Sequence, residues 1–161
     1  MNNATKIDLP LDTRDAMAAL LNASLADAID LGTQAKQAHW NVKGPSFIAL
    51  HQLFDTVHGL ADGFTDMIAE RVVALGGTAQ GTLSMVVAGT QLPVYPTSIT
   101  SGPDHLTALS TALAGFGGRV RAAIDAADEA GDKSTADLFT EISRETDKQL
   151  WFLEAHLQSD R

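Results

Sequence analysis

Five residues of this chain are of the right types, at the right intervals, to hold metal ions. His51 and Asp55 stand four apart, as do Asp66 and Glu70, and His39 lies a little upstream. On a helix, residues four apart share a face, so each pair can aim its ligand atoms at one point. Imidazole nitrogen with carboxylate oxygen is the donor mix of a non-haem iron site. Carboxylates, as hard oxygen anions, favour the ferric over the ferrous ion. Five protein ligands shared by two metal positions also leave coordination open for oxidant and water.

One helix of one chain cannot bring both pairs to a single metal centre. His51 and Asp66 are fifteen residues apart, roughly 22 Å of helix at 1.5 Å per residue, whereas metal–ligand bonds are about 2 Å long. The spacing is symmetric, however. Residues 51 and 70 have the midpoint 60.5, and so have 55 and 66. Two such helices packed antiparallel about a two-fold axis near Leu60–Ala61 would set His51 and Asp55 of one chain against Glu70 and Asp66 of the other. The contact is isologous and makes two equivalent sites. Gly59, Ala61 and Gly63 around the midpoint would allow close approach. A glycine in a helix otherwise costs about 1 kcal/mol relative to alanine.

The elements that must position these residues are legible as helices. Residues 1–11 read as a short irregular arm ending near Pro10. The first helix starts near Asp12–Thr13, carries Met17, Leu20, Leu21, Leu25, Ala28 and Ile29 at three- and four-residue intervals, and runs to about Asn41. A turn at Lys43-Gly44-Pro45 folds the next helix back antiparallel, and counting equally from it places His39 beside His51. The second helix follows an N-cap at Ser46 and ends at Gly76-Gly77. Thr78–Gly102 is a long crossover in which Leu83–Ala88 could make one or two helical turns, while Pro93, Pro96 and Pro103 exclude long regular structure. A third helix is expected over Pro103–Ala130, with Gly115, Gly117 and Gly118 implying a kink or close packing, and a fourth over Ser134–Gln158. A long second connection joins parallel helices, as in ferritin-like bundles. The expected architecture is therefore all-α: a four-helix bundle over residues 12–158, a short extra helix in the crossover, and a tail at 159–161.

Composition sets the outer limits. A chain of 161 residues with 45% hydrophobic content suits one domain with a sizeable core. It has no apolar run of the roughly 20 residues that span a bilayer. The absence of cysteine excludes disulfides and thiolate-ligated clusters. The N-terminal segment has neither the basic start nor the apolar core of a secretory signal. The expected location is the cytoplasm, with nucleoid association as the alternative. Twenty acidic residues against eleven basic ones give a net charge of −9, a field that attracts cations and repels nucleic acid.

The runs AHWNVKGPSF, LHQLFD and DMIAER, with DLFTEISRETDKQLWFLEAHL near the end, resemble the signature of the Dps mini-ferritins. All five ligand positions of that motif are present in type and order. The resemblance implies ferritin-like subunits in a hollow shell of twelve, with dinuclear iron sites for ferroxidase chemistry at the two-fold interfaces. It implies Fe²⁺ as substrate and hydrogen peroxide, in preference to dioxygen, as oxidant. It also supports Lys36 as a partner for a site carboxylate, and adds for Trp40 a role in absorbing oxidising equivalents. An acidic pore at a three-fold axis would place Asp128, Asp132 and Asp137 on the iron entry path, with Lys133 among them. His58, His105 and His156 are read as structural.

Two alternatives belong to other classes. A DNA-binding, nucleoid-compacting protein of this family would use a lysine-rich terminal arm, but this arm has only Lys6, and direct DNA binding is not expected. A larger ferritin would need an E-x-x-H pair within one bundle, and the sequence has none.

Overall fold

The computed structural model describes residues 3–158; the tail expected at 159–161 lies outside them. Five helices follow one another: α1 (Leu11–Asn41), α2 (Phe47–Ala74), α3 (Leu83–Gly89), α4 (Gly102–Glu129) and α5 (Lys133–Ala155). No strand occurs among the described residues, and α3 is the short helix of the crossover.

The long helices form two hairpins, α1 with α2 and α4 with α5. Each turn contains a glycine in the left-handed region, Gly44 at φ 115° and Gly131 at φ 80°, where a side chain would be strained. The crossover brings the start of α4 back to the turn between α1 and α2. Lys43 N–H donates to the Thr100 carbonyl at 3.0 Å, beside a backbone bridge between Lys43 and Ser101. At the opposite end, Arg71 of α2 reaches Asp132 and Thr135 at the start of α5. Helices α2 and α4 therefore begin at the same end and run parallel, as the long connection requires.

Apolar faces of all four long helices meet in one core, with Leu21, Leu31, Phe54, Ile68, Leu109, Phe116, Phe139 and Ile142 fully buried. Phe64 and Phe116 stack across the bundle with centroids 6.3 Å apart. The glycine-rich centre of α4 is unbroken helix. Close packing is its role at Gly117, where an added Cβ would come within 3.3 Å of the Thr146 methyl. The crossover is anchored by a buried carboxylate: Asp27 accepts from Arg119 Nε at 2.7 Å, from Gln91 N–H at 2.7 Å and from the Thr90 hydroxyl. The N-terminal arm is tied down as well. Asn3 N–H donates to the Gly76 carbonyl at 2.7 Å, and Arg14 donates to the carbonyls of Leu9 and Leu75.

Candidate metal centre

The α1–α2 turn sets His39 against His51. Their rings stack with centroids 3.6 Å apart. Each Nδ1 lies 2.8 Å from the backbone carbonyl of the other residue. A carbonyl can only accept, so both Nδ1 atoms carry the hydrogen and both Nε2 atoms keep a free lone pair. The exchange also solves a local problem. The His39 carbonyl is in the last turn of α1, where carbonyls lose their helical partners, and Lys43 N–H has gone to Thr100 instead. His51 supplies the missing donor. Two imidazoles are thus fixed in tautomer and orientation by backbone alone, as metal-binding histidines need.

Asp55, one turn after His51, is exposed and ion-paired with Lys36; its Oδ1 lies 3.8 Å from His39 Nδ1. The hydrogen bond from Lys36 is the main cause that holds the Asp55 carboxyl below the usual carboxylate value. The carboxylate is thereby kept charged, with the Lys36 ammonium group as its counter-ion. Trp40 is 67% exposed and lines, with Lys36 and Tyr95, a groove of about 770 Å³.

Asp66 and Glu70 lie further along α2, exposed on its outward side. Among the described residues, no three His, Asp or Glu side chains of the single chain are grouped so as to hold a metal ion. The outward face of α2 has further symmetry. Its exposed apolar residues Ile48 and Val73, 61% and 54% accessible, share the midpoint 60.5 with the two ligand pairs. A Cβ placed on Gly59 or Gly63 would have no atom within 4 Å.

The three acids expected at a pore have different surroundings. Asp128 is exposed and paired with Lys133. Asp137 is exposed and shares a shallow groove of about 370 Å³ with Glu70, Arg71 and Glu141. Asp132 is only 2% exposed. It caps α5 through Thr135 N–H and binds Arg71 at 2.7 Å, so it is not available to passing ions in this chain. Burial pushes its pKa up, but the hydrogen bonds from Thr135 and Arg71 outweigh that and hold it below the ordinary 3.8. The stabilisation is therefore complete above the unfolded-state value and is lost as pH falls through the lower folded one. Asp132→Ala should cost about 3 kcal/mol, combining a lost cap of about 1 kcal/mol with a largely buried Arg71 left without its carboxylate. Chemical unfolding at pH 7 measures it, and an unchanged midpoint would refute the assignment.

Two histidines read from the sequence as structural have partners that the reading did not assign. His105 is buried, with Nδ1 2.6 Å from the Tyr95 hydroxyl. Desolvation lowers its pKa and raises that of Tyr95, which keeps the pair neutral and supports a structural role. His58 is different. Asp62 stands four residues after it, the same spacing as His51–Asp55, and its carboxylate lies 3.4 Å from His58 Nε2.

Comparison with known proteins adds an independent line. A family described as ferritin-like domain matches residues 18–161. A DNA protection during starvation protein of Agrobacterium fabrum is 53% identical over 154 residues, 96% of this chain and 95% of that one. Its namesake in Brevibacillus brevis is 33% identical over 88% of this chain and 95% of its own length. Among solved structures, DpsC from Streptomyces coelicolor matches at TM-score 0.95 and 32% identity, covering 100% of this chain and 94% of that one. Dps from Microbacterium arborescens in its high iron form matches at TM-score 0.87 and 34% identity, over 96% and 99% of the two chains.

Proposed function

The chain belongs to the Dps family of ferritin-like proteins, and on that premise we propose that it oxidises Fe²⁺ at sites shared by two subunits and stores the ferric product in a hollow shell, in the cytoplasm. The observation that carries this reading is the outward face of α2. It bears a half-site at each end, with His39 and His51 held tautomer-fixed against Asp55, and its ligand pairs and exposed apolar residues share one midpoint. A second copy across that midpoint brings Asp66 and Glu70 to His39, His51 and Asp55. Family membership supports a twelve-subunit assembly and hydrogen peroxide as the preferred oxidant.

Iron is the substrate here. The free Nε2 atoms of His39 and His51 and the carboxylates of Asp55, Asp66 and Glu70 are its ligands. Lys36 releases Asp55 when the ion arrives. Two ferrous ions held together give up two electrons to one hydrogen peroxide, which with two protons becomes two waters, and no hydroxyl radical is released. Asp128 and Asp137 are the exposed acids that would guide ions inward. The test is stopped-flow oxidation of anaerobically loaded Fe²⁺, with peroxide compared against dioxygen, on protein sized by native mass spectrometry. Peroxide should be the faster oxidant, and oxidation no faster than in protein-free buffer would refute the reading.

Shielding of DNA by direct binding is not part of this proposal. The arm that would carry it offers only Lys6 and is pinned to Gly76 through Asn3. At near-neutral pH, physiological salt and with metal chelated, micromolar protein should leave duplex DNA unretarded on a gel. A salt-sensitive shift would overturn this.

A further inference from the structure

We propose a second metal site, distinct from the five-ligand set, in which His58 and Asp62 of two copies bind one tetrahedral divalent cation on the α2 two-fold axis. It rests on the two-copy contact of the preceding reading and on four observations of its own. First, the pair has ligand spacing, with Nε2 and Oδ2 3.4 Å apart. Two donors bound to one zinc ion at about 2.1 Å, in tetrahedral geometry, stand about 3.4 Å apart.

Second, the imidazole is oriented for a metal. His58 Nδ1 lies 3.1 Å from the Gly32 carbonyl, which can only accept, so Nδ1 carries the hydrogen and Nε2, 3.4 Å from Asp62 Oδ2, keeps its lone pair. Two acceptors this close together favour a cation between them. Third, α1 passes so close at Gly32 that a Cβ there would touch Ala61, His58 and Asp62 at 3.5–3.6 Å, so the pair is backed by a packed helix.

Fourth, the position meets the axis. Asp62 is one and a half residues from the midpoint at 60.5 and His58 two and a half, roughly 2 and 4 Å along the helix. Asp62 lies on the exposed side of α2 with Gly59 and Gly63. An antiparallel copy therefore sets two Asp62 carboxylates close together across a glycine-lined contact. Like charges at that separation are unfavourable in a desolvated interface, and a divalent ion ligated by both pairs removes the repulsion. Two imidazole nitrogens and two carboxylate oxygens suit Zn²⁺, which accepts tetrahedral nitrogen and oxygen ligation and has no redox chemistry. Such an ion would join two subunits without taking part in iron oxidation.

The test separates this site from the five-ligand set. In a His39→Gln/His51→Gln/Asp55→Asn/Asp66→Asn/Glu70→Gln background, native mass spectrometry after Zn²⁺ addition should count one tightly held zinc per two chains. Adding His58→Gln or Asp62→Asn should weaken that binding by more than about a hundredfold, since even losing a ligand's hydrogen-bond partner costs 10–100-fold. No retained zinc, zinc indifferent to those substitutions, or one zinc per chain would each overturn the proposal. Single chains in the spectrum would overturn it through the two-copy contact, which is read as mass and not as lost zinc. Peroxide-dependent iron oxidation of the parent protein judges the preceding reading separately. Should the background variant fail to fold, Co²⁺ loading of the parent and of Asp62→Asn decides: their difference spectrum should show the intense visible bands of tetrahedral Co²⁺, and their absence refutes the site.

Discussion

A mixture of His51→Ala/Asp55→Ala subunits with Asp66→Ala/Glu70→Ala subunits should recover peroxide-dependent iron oxidation that neither component shows alone. On the shared-site reading, each variant by itself would destroy every site, because every site would take ligands from both ends of two antiparallel helices. In a mixed pair, one site loses all four altered ligands and the other keeps all of them. Random reassembly of equal amounts makes half the pairs mixed, so about a quarter of the sites should be whole. Reassembly from denatured or dissociated subunits, with mixing verified by mass spectrometry, is the measurement. Mixed assemblies as inactive as their components would show that the ligands do not come together between chains.

Gly59→Val and Gly63→Val should weaken the contact between subunits while leaving each subunit intact. In one chain neither substitution meets anything, because no atom lies within 4 Å of the added Cβ. A purely local effect would even be favourable, since glycine is among the poorest helix formers. Against a close-packed second copy, overpacking costs about 1–3 kcal/mol, and a two-fold contact meets each substitution twice. A displacement of about 1 Å would also spoil ligand geometry at both shared sites. Sedimentation should show dissociation at higher protein concentration, with lower iron affinity and unchanged helical circular dichroism. If both variants assemble and oxidise iron like the parent, the axis does not cross α2 near residue 60.5.

The helices were readable because their punctuation is local. Ser46 after Gly44-Pro45 opens α2, and the glycines at 76 and 131 follow the ends of α2 and α4, all within a residue or two of expectation. The starts were less accurate. Helix α1 begins at Leu11, directly after Pro10 and with no side-chain cap, where Asp12 or Thr13 was the expected cap. Helix α5 is capped by Asp132, one of the acids expected at a pore. Its burial depends on Arg71, sixty-one positions away, and no local pattern announces that partner. The pairing of His39 with His51 followed from counting outward from one turn. Their exchange of backbone hydrogen bonds did not, because it depends on ring orientations set by packing. The His58–Asp62 spacing is a miss of the sequence reading, which finds no acid at ligand spacing for His58 although Asp62 stands four residues on; the Gly32 carbonyl that orients the ring is supplied by a different helix.

The roughly 22 Å of helix between His51 and Asp66 has a temporal consequence. With sites shared in this way, a newly synthesised subunit would carry both halves of the chemistry and neither whole. It would fold, diffuse and meet ferrous ions without oxidising them, so no ferric product would form before two chains had paired. Catalytic competence then becomes a property of concentration. Diluted below its dissociation point, the protein should lose activity in proportion to the paired fraction and regain it on reconcentration, with no change in any individual fold. Separating the ligands along one helix would thus make the pairing of chains the checkpoint that licenses the reaction.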